Sequence, residues 1–216
     1  MYSLSKKGKD LISFYKDMHE NGYYKSSGGF VSKDKVYNTF ELYHYKEFIL
    51  NIFREHNIKN VVDYGSGGSD WEKNNFHENM SAKDYFYLDK IITYEPSRNK
   101  NFITKLDSVV CFDVLEHIYI NDLRKILCHI YENAKKLVIL NVACFPAKAL
   151  LPNKENAHIT IRPPIWWKGY LDAISINYPE ISTVLLCRVN PKELRYFKIW
   201  NNYSYDLVKN YRIDLE

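Results

Sequence analysis

One short stretch of the chain concentrates glycine beside an acid: NVVDYGSGGSDW, Asn60–Trp71. Three of the eight glycines in the chain, Gly65, Gly67 and Gly68, fall within four positions. Gly65 can adopt backbone angles closed to other residues, and glycine at 67 and 68 lets a ligand lie against the main chain. Asp63 can accept hydrogen bonds from an ammonium group. The stretch predicts a ligand-binding turn that runs into a helix, and a tight turn without a ligand is the alternative.

Acidic residues also follow two later predicted strands. Glu95 ends the strand in IITYEPS, and CFDVLEHI (Cys111–Ile118) contains Asp113 and Glu116. The two oxygens of a carboxylate can match two vicinal hydroxyls of a ligand. Asp113 faces a ligand or caps the helix that begins nearby, and the residue types favour neither role. Glu116 is a candidate catalytic group, whereas for His117 we favour packing beneath the next helix.

The connection before Trp166 contains a candidate general base and candidate ligand-binding side chains. His158, in ENAHIT, titrates near neutrality and suits a general base; a histidine that only pins its loop is an equal alternative. Arg162 can bind a phosphate or carboxylate, and a structural salt bridge is an equally good interpretation. Asn156 adds polarity beside His158. Of the adjacent Trp166 and Trp167, one ring is expected in the core and the other near the pocket.

Short apolar segments alternate with amphipathic ones, and this pattern predicts an α/β fold. The predicted strands are IKNVVDYG, Ile91–Tyr94, Ser108–Phe112, KKLVILNVACF, ISTVLLCRV and RYFKIW. Helical spacing marks residues 5–21, 35–56, 121–134 and 166–174. Strands of this kind form a mainly parallel, twisted sheet with helices on both faces. We expect one domain, in which a helical extension (1–58) packs on the remainder (59–216).

Composition narrows the class of protein. Apolar residues make up 46% of the chain and charged residues 26%, which is ordinary for a globular protein. The net charge of +4 comes from scattered lysines, so we expect no specific nucleic-acid binding. None of the four cysteines forms a CxxC pair, and no metal site or disulfide is predicted. Without a leader segment or an apolar run of about 18 residues, we expect a cytoplasmic protein that does not bind membranes.

The glycine pattern resembles the first motif of one enzyme family. Asp63-x-Gly65-x-Gly67-Gly68 differs from the GxGxxG of dinucleotide-binding proteins. It is similar to the motif of class I S-adenosylmethionine-dependent methyltransferases, which have a Rossmann-like fold. The resemblance implies that this loop, Ser66 included, binds S-adenosylmethionine.

The two later acidic segments extend the resemblance in the family's order. TYEPS places Glu95 where such enzymes grip both ribose hydroxyls, and CFDVLEHI resembles the segment that adds Phe112 and Asp113 to the cofactor site. Leu140–Leu171 resembles a block of bacterial and phage methyltransferases of mostly unassigned substrate. In the family this connection commonly builds the acceptor pocket, which implies roles there for Asn156, Arg162 and Trp166.

The chain also departs from the family pattern. Asp63 and Glu95 are 32 positions apart, where about 20 is usual for an acid after a glycine loop. Residues 72–90 therefore lengthen the first helix or insert a loop. Little room remains between Glu95 and Ser108 for a helix and a third strand, so the adenine-binding acid has no clear equivalent.

The resemblance implies methyl transfer from S-adenosylmethionine to a small polar acceptor. Oxygen is the favoured acceptor atom, because a histidine base suits a hydroxyl and no Asn-Pro-Pro-Tyr amine motif occurs. A precursor of cell-surface glycans, nucleotide-linked or phosphorylated, is the expected class. An RNA or protein methyltransferase and a non-catalytic S-adenosylmethionine-binding module remain open, and no oligomeric state is predicted.

Overall fold

The computed structural model describes residues 4–37, 41–98 and 103–199, and the backbone of 211–214. The strands are β1 Tyr23–Tyr24, β2 Phe30–Val31, β3 Asn60–Tyr64, β4 Lys90–Tyr94, β5 Leu106–Phe112, β6 Ala134–Ala143, β7 Ser182–Asn190, β8 Glu193–Ile199 and β9 Tyr211–Asp214. The helices are α1 Lys6–Asn21, α2 Lys46–Glu55, α3 Ala82–Tyr85, α4 Ile120–Glu132 and α5 Pro164–Ser175.

One seven-stranded sheet organises the molecule, in the order β4-β3-β5-β6-β7-β8-β9. The strands from β4 to β7 are parallel, and β8 and β9 run antiparallel. In chain order, β3 is the first strand of this sheet. The next strand, β4, pairs on one side of it, and β5, β6 and β7 follow on the other side. The strand order thus reverses between β3 and β5, and ligands of open α/β sheets bind outside the carboxyl ends at such a point.

The core lies on both faces of this sheet, because the central strands are apolar at consecutive positions. On one face α4 and α5 pack against β5 and β6, with Leu127 and Trp167 fully buried. On the other face α2 and the segment before β4 bury Phe53 and Phe86 against Val61. The predicted mixed α/β fold with a mostly parallel sheet is confirmed.

The predicted helix over 35–56 is wrong at residues 35–37 and 41–45, and residues 38–40 lie outside the described part of the chain. The helix begins only at Lys46, after a 3₁₀ turn over Glu41–Tyr45. Leu42 and Tyr45 of this turn are both buried. Residues three apart share one side of a 3₁₀ turn, so this conformation places both side chains in the core.

The helix expected directly after the glycines is absent. Residues 66–81, all described by the structure, form turns and loops, and α3 is a single helical turn. The buried rings of Trp71, Phe76 and Phe86 attach this segment to the core. The inserted residues are therefore a loop rather than a lengthened helix.

None of the helices in the described part of the chain is both long enough and apolar enough to cross a membrane.

Candidate functional site at the carboxyl ends of the parallel strands

The glycine loop leaves β3 in a conformation that requires glycine. Gly65 has φ +76° and Gly67 has φ +55°. The N–H groups of Gly65 and Ser66 donate to the carbonyl of Tyr94, at 2.7 and 3.2 Å, which ties the loop to the end of β4. A Cβ on Gly65 would lie 2.3 Å from Cγ2 of Val114. Both backbone angle and space therefore exclude a side chain at position 65.

Glu95 lies directly against this loop. Its Oε2 accepts from the Gly67 N–H at 3.1 Å, and its Oε1 accepts from the N–H and the hydroxyl of Ser97, at 3.0 and 2.6 Å. The Ser97 hydroxyl also lies 3.0 Å from Nδ1 of His19 on α1. The acid predicted to bind ribose is thus held beside the predicted cofactor loop by contacts from three segments.

Asp63 has an internal role in the loop. The residue is only 7% exposed, and its Oδ2 accepts from the Ser69 hydroxyl at 2.6 Å and from Nε1 of Trp71 at 2.8 Å. Burial raises the pKa of the Asp63 carboxyl, and these two hydrogen bonds oppose the rise. Asp63 therefore fastens the chain after the glycines to the end of β3, and Oδ2 is not the predicted acceptor for an ammonium group.

Tyr37 lies over the glycine loop. The Gly68 N–H donates to the Tyr37 carbonyl at 3.0 Å, and a Cβ on Gly67 would lie 2.9 Å from the same oxygen. Arg98 holds the neighbouring backbone by donating to the carbonyl of Val36 at 2.9 Å. A ligand on the main chain at Gly67 and Gly68 must therefore displace the Tyr37 carbonyl.

Asp113 begins the connection after β5. Its N–H donates to the carbonyl of Asn141, and its Oδ2 lies 3.6 Å from Nη1 of Arg188, which also lies 3.4 Å from Oε2 of Glu41. Burial and Glu41 raise the pKa of Asp113 to about 7, against the opposing charge of Arg188. The residue before α4 is Tyr119, so Asp113 does not cap that helix.

Asp113→Asn is expected to flatten the pH dependence of stability. The folded protein holds a proton on Asp113 up to about pH 7, whereas the ordinary pKa is 3.8, so stability falls as pH rises between these values. Asparagine tolerates the positive φ of 51°. We expect the variant to be more stable by about 1–2 kcal/mol at pH 8 and unchanged near pH 4, measured by urea denaturation. Equal pH slopes for the two proteins would contradict this assignment.

Glu116 is buried completely beneath the connection after β6. Its Oε1 accepts from the Ala143 N–H at 2.8 Å, and its own carbonyl accepts from the N–H of Thr160 at 2.8 Å. Burial, and secondarily the charge of Asp113, raise the pKa of the Glu116 carboxyl. Oε2 has no hydrogen-bond partner among the residues that the structure describes.

His117 and His158 meet beside this carboxylate, with ring centroids 4.7 Å apart. Nδ1 of His158 lies 2.5 Å from the carbonyl of Phe145, and Nδ1 of His117 lies 2.8 Å from the carbonyl of Ala157. A carbonyl only accepts, so a hydrogen bond to it requires the proton on Nδ1, which leaves the lone pair on Nε2. Nδ1 of His117 has the Tyr15 hydroxyl, 2.6 Å away, as a second partner. Burial lowers the pKa of both rings, that of His117 to about 3, and both are neutral at pH 7.

Two other predicted acceptor-site residues, Asn156 and Arg162, use their side chains on the backbone of this connection. Asn156 uses its amide on its own loop, since it donates to the Ala147 carbonyl and accepts from the Ala147 and His158 N–H groups. Arg162 bonds the carbonyl of Ile161 and lies 5.7 Å from the ring of Trp166. Asn156 therefore positions His158, and Arg162 makes no contact with the histidine pair.

Of the two adjacent tryptophans, one lies in the core as predicted, and the position of the other near a pocket stays a prediction. Trp167 is fully buried, whereas Trp166 is partly exposed and stacks on Tyr170. Phe112, at the end of β5, packs against Tyr45 with ring centroids 5.8 Å apart. Phe112, a predicted cofactor-binding residue, therefore lies at the carboxyl end of β5, next to Asp113.

Helix α1 adds residues that sequence reasoning missed. Ser5 bonds Asp122 at the start of α4, Tyr15 places its hydroxyl 2.6 Å from Nδ1 of His117, and His19 contacts Ser97. In the sequence, Tyr15 belongs to an apolar stripe and carries no separate signal. The helix thus crosses from the glutamate after β4 to the histidines after β5 and β6.

The three predicted motifs therefore meet at one edge of the sheet. The glycine loop contacts Glu95 and Val114 directly, and Val114 lies between Asp113 and the Glu116–His117 pair. No family model, curated protein or solved structure matches this chain. The geometry of the site is thus the basis for the proposed function.

Proposed function

We propose that this chain is a cytoplasmic, S-adenosylmethionine-dependent methyltransferase with a Rossmann-like class I fold, acting on a hydroxyl of a small polar molecule. The observation that carries the proposal is the Glu95 carboxylate held against the glycine loop at the point where the strand order reverses. A carboxylate there can bind both hydroxyls of a ribose whose nucleoside lies along the loop, once the Tyr37 carbonyl has moved away from Gly67 and Gly68. The free thiols of all four cysteines fit a reducing compartment.

The charge of this edge favours a cationic cofactor. The carboxyl groups of Asp63, Glu95, Asp113 and Glu116 lie at this edge, and burial raises the pKa of Asp63, Asp113 and Glu116. A sulfonium or an ammonium group placed beside these carboxyl groups would favour their charged forms.

The missing helix after the glycines argues against a dinucleotide cofactor. Dinucleotide sites place the pyrophosphate on a helix N-terminus directly after the glycine turn. Residues 66–81 of this chain form no helix. S-adenosylmethionine carries no phosphate and needs no such anion site, whereas a nicotinamide dinucleotide does.

Methyl transfer is a displacement at the sulfonium, and the protein must align the donor with the acceptor oxygen. The acceptor hydroxyl must also lose its proton. Of the candidate bases, His158 presents an unprotonated Nε2, because its Nδ1 proton is donated to Phe145. The proposed acceptor is a small hydroxyl-bearing molecule, such as a sugar or a phosphorylated precursor.

Glu95→Ala is expected to weaken binding of S-adenosylhomocysteine by about 1.5–3 kcal/mol, because hydrogen bonds from the ribose to a charged group are lost. Isothermal titration calorimetry measures the effect. Glu95→Gln keeps the shape and should lose less, and Glu20→Ala, an exposed glutamate of α1, serves as the control. Thermal unfolding checks that the loss of the Gly67 and Ser97 contacts leaves the protein folded. Equal affinity in Glu95→Ala and wild type would overturn the assignment of Glu95.

A further inference from the structure

Three potential metal ligands converge behind the glycine loop. They are Glu116 and His117, which follow β5, and His158, which follows β6. One carboxylate oxygen and one nitrogen of each ring all lie within 4.8 Å of one another. Separations of this size let a single ion reach all three groups after small side-chain movements, since metal–ligand bonds are about 2.0–2.2 Å long.

Both imidazoles are held as metal-ligating histidines usually are. In such sites the second ring nitrogen donates its proton to a carbonyl or carboxylate, which fixes the tautomer and the ring orientation. Nδ1 of His158 makes this bond to Phe145, and Nδ1 of His117 makes it to Ala157. The Tyr15 hydroxyl lies near the same His117 nitrogen. Nε2 of each ring therefore remains the atom available to an ion.

The carboxylate supplies an independent observation. Glu116 is 0% exposed, and its Oε2 has no partner within the described part of the chain, although Oε1 is bonded to Ala143. A buried carboxylate oxygen without a hydrogen-bond donor costs free energy. A cation between the three groups would satisfy them together.

We propose that Glu116, His117 and His158 bind one divalent first-row transition-metal ion. Two imidazole nitrogens and one carboxylate oxygen suit manganese, iron, cobalt or zinc better than magnesium or calcium, which prefer oxygen ligands. Three protein ligands also leave coordination positions open. The sequence pattern predicts no metal site, because the cysteines lack the spacing of metal ligands and His117 is interpreted there as a packing residue.

The ion has a role in the reaction only if methyl transfer is correct, so this step rests on the proposed function. A hydroxyl that occupies an open position on a divalent ion loses its proton more easily. His158 would then act as a ligand, the ion would lower the pKa of the hydroxyl, and the proton released would pass to solvent water. Binding of the ion itself rests only on the three side chains.

Calorimetry of chelator-treated protein with Mn²⁺ or Zn²⁺ tests the site without any acceptor. We expect one ion per chain, and at least about 10-fold weaker binding in Glu116→Gln, His117→Asn and His158→Ala. His77→Ala, in the loop before α3, is the matched control and should bind like wild type. The visible spectrum of the Co²⁺ form should change with each ligand variant.

Thermal unfolding gives a second test of metal binding in case a substitution of the buried Glu116 prevents folding. Mn²⁺ should raise the melting temperature of wild type and of His77→Ala but not that of His158→Ala, which changes a partly exposed residue. Absence of stoichiometric binding, or equal binding in wild type and all three ligand variants, would overturn the proposal. Titration with S-adenosylhomocysteine tests the proposed function independently of the metal site. A protein that binds S-adenosylhomocysteine but no metal ion would refute only the metal site. A protein that binds the metal ion but not S-adenosylhomocysteine would refute only the methyltransferase assignment.

Discussion

Replacing His158 with alanine is expected to lower kcat for methyl transfer by about 10²–10⁴-fold and to leave cofactor affinity nearly unchanged. The expectation follows from the unprotonated Nε2 of His158, whose ring lies beside the buried Glu116 and is oriented by the Phe145 carbonyl. The measurement is transfer of a labelled methyl group to a fraction of small polar metabolites, with calorimetry for the cofactor. A folded variant with near-wild-type kcat would exclude a catalytic role, and Asp113 and Glu116 would be tested next.

His117 separates the two ways in which His158 can act. If His158 is a free base, His117→Asn should keep most of the wild-type rate, because His117 only neighbours it. If both rings hold a metal ion, either substitution should lower the rate by a similar factor and weaken metal binding. A His158 variant that loses stability, cofactor affinity and rate together would instead show a residue that only pins its loop.

Gly65→Ala is expected to lower the free energy of unfolding by about 2–4 kcal/mol. The φ of +76° costs an alanine about 1 kcal/mol, and overpacking against Val114 typically costs about 1–3 kcal/mol more. Urea denaturation measures the loss. A variant within about 0.5 kcal/mol of wild type would show that Val114 and the loop move apart freely.

Two further variants identify the origin of that loss. Gly169→Ala, in α5 with open space around its Cβ, should be stabilised by about 0.5–1 kcal/mol, because alanine is the better helix former. Val114→Ala in the Gly65→Ala background should recover the steric part and leave the backbone part.

Much of the fold could be predicted from local sequence. Each central strand is an uninterrupted apolar run such as Val109–Cys111 or Leu137–Leu140, and runs of this kind occur where a strand is covered on both faces. Helix α4 has its apolar residues at helical spacing and was found within two residues of its bounds. These patterns depend on residues near in sequence, so a single chain reveals them.

The errors occur where distant contacts override a local pattern. Residues 35–45 have helical periodicity, but burial of Leu42 and Tyr45 on one side favours a 3₁₀ turn. The glycine turn was expected to open a helix, but Asp63 draws Ser69 and Trp71 back towards β3. Such hydrogen bonds join side chains whose positions depend on the whole fold.

The sequence by itself determined which chemistry is available: a glycine turn after an acid, a glutamate after the next strand, and the histidines His117 and His158. The backbone freedom of glycine and the acceptor oxygens of a carboxylate are the same in any fold, because both come from the covalent structure of the residue. Only the tertiary structure decided that Asp63 turns inward, that Tyr37 covers the glycines and that His117 joins His158. These outcomes depend on contacts between residues up to about forty positions apart. The crossover connections between parallel strands bring such residues together at one edge of the sheet.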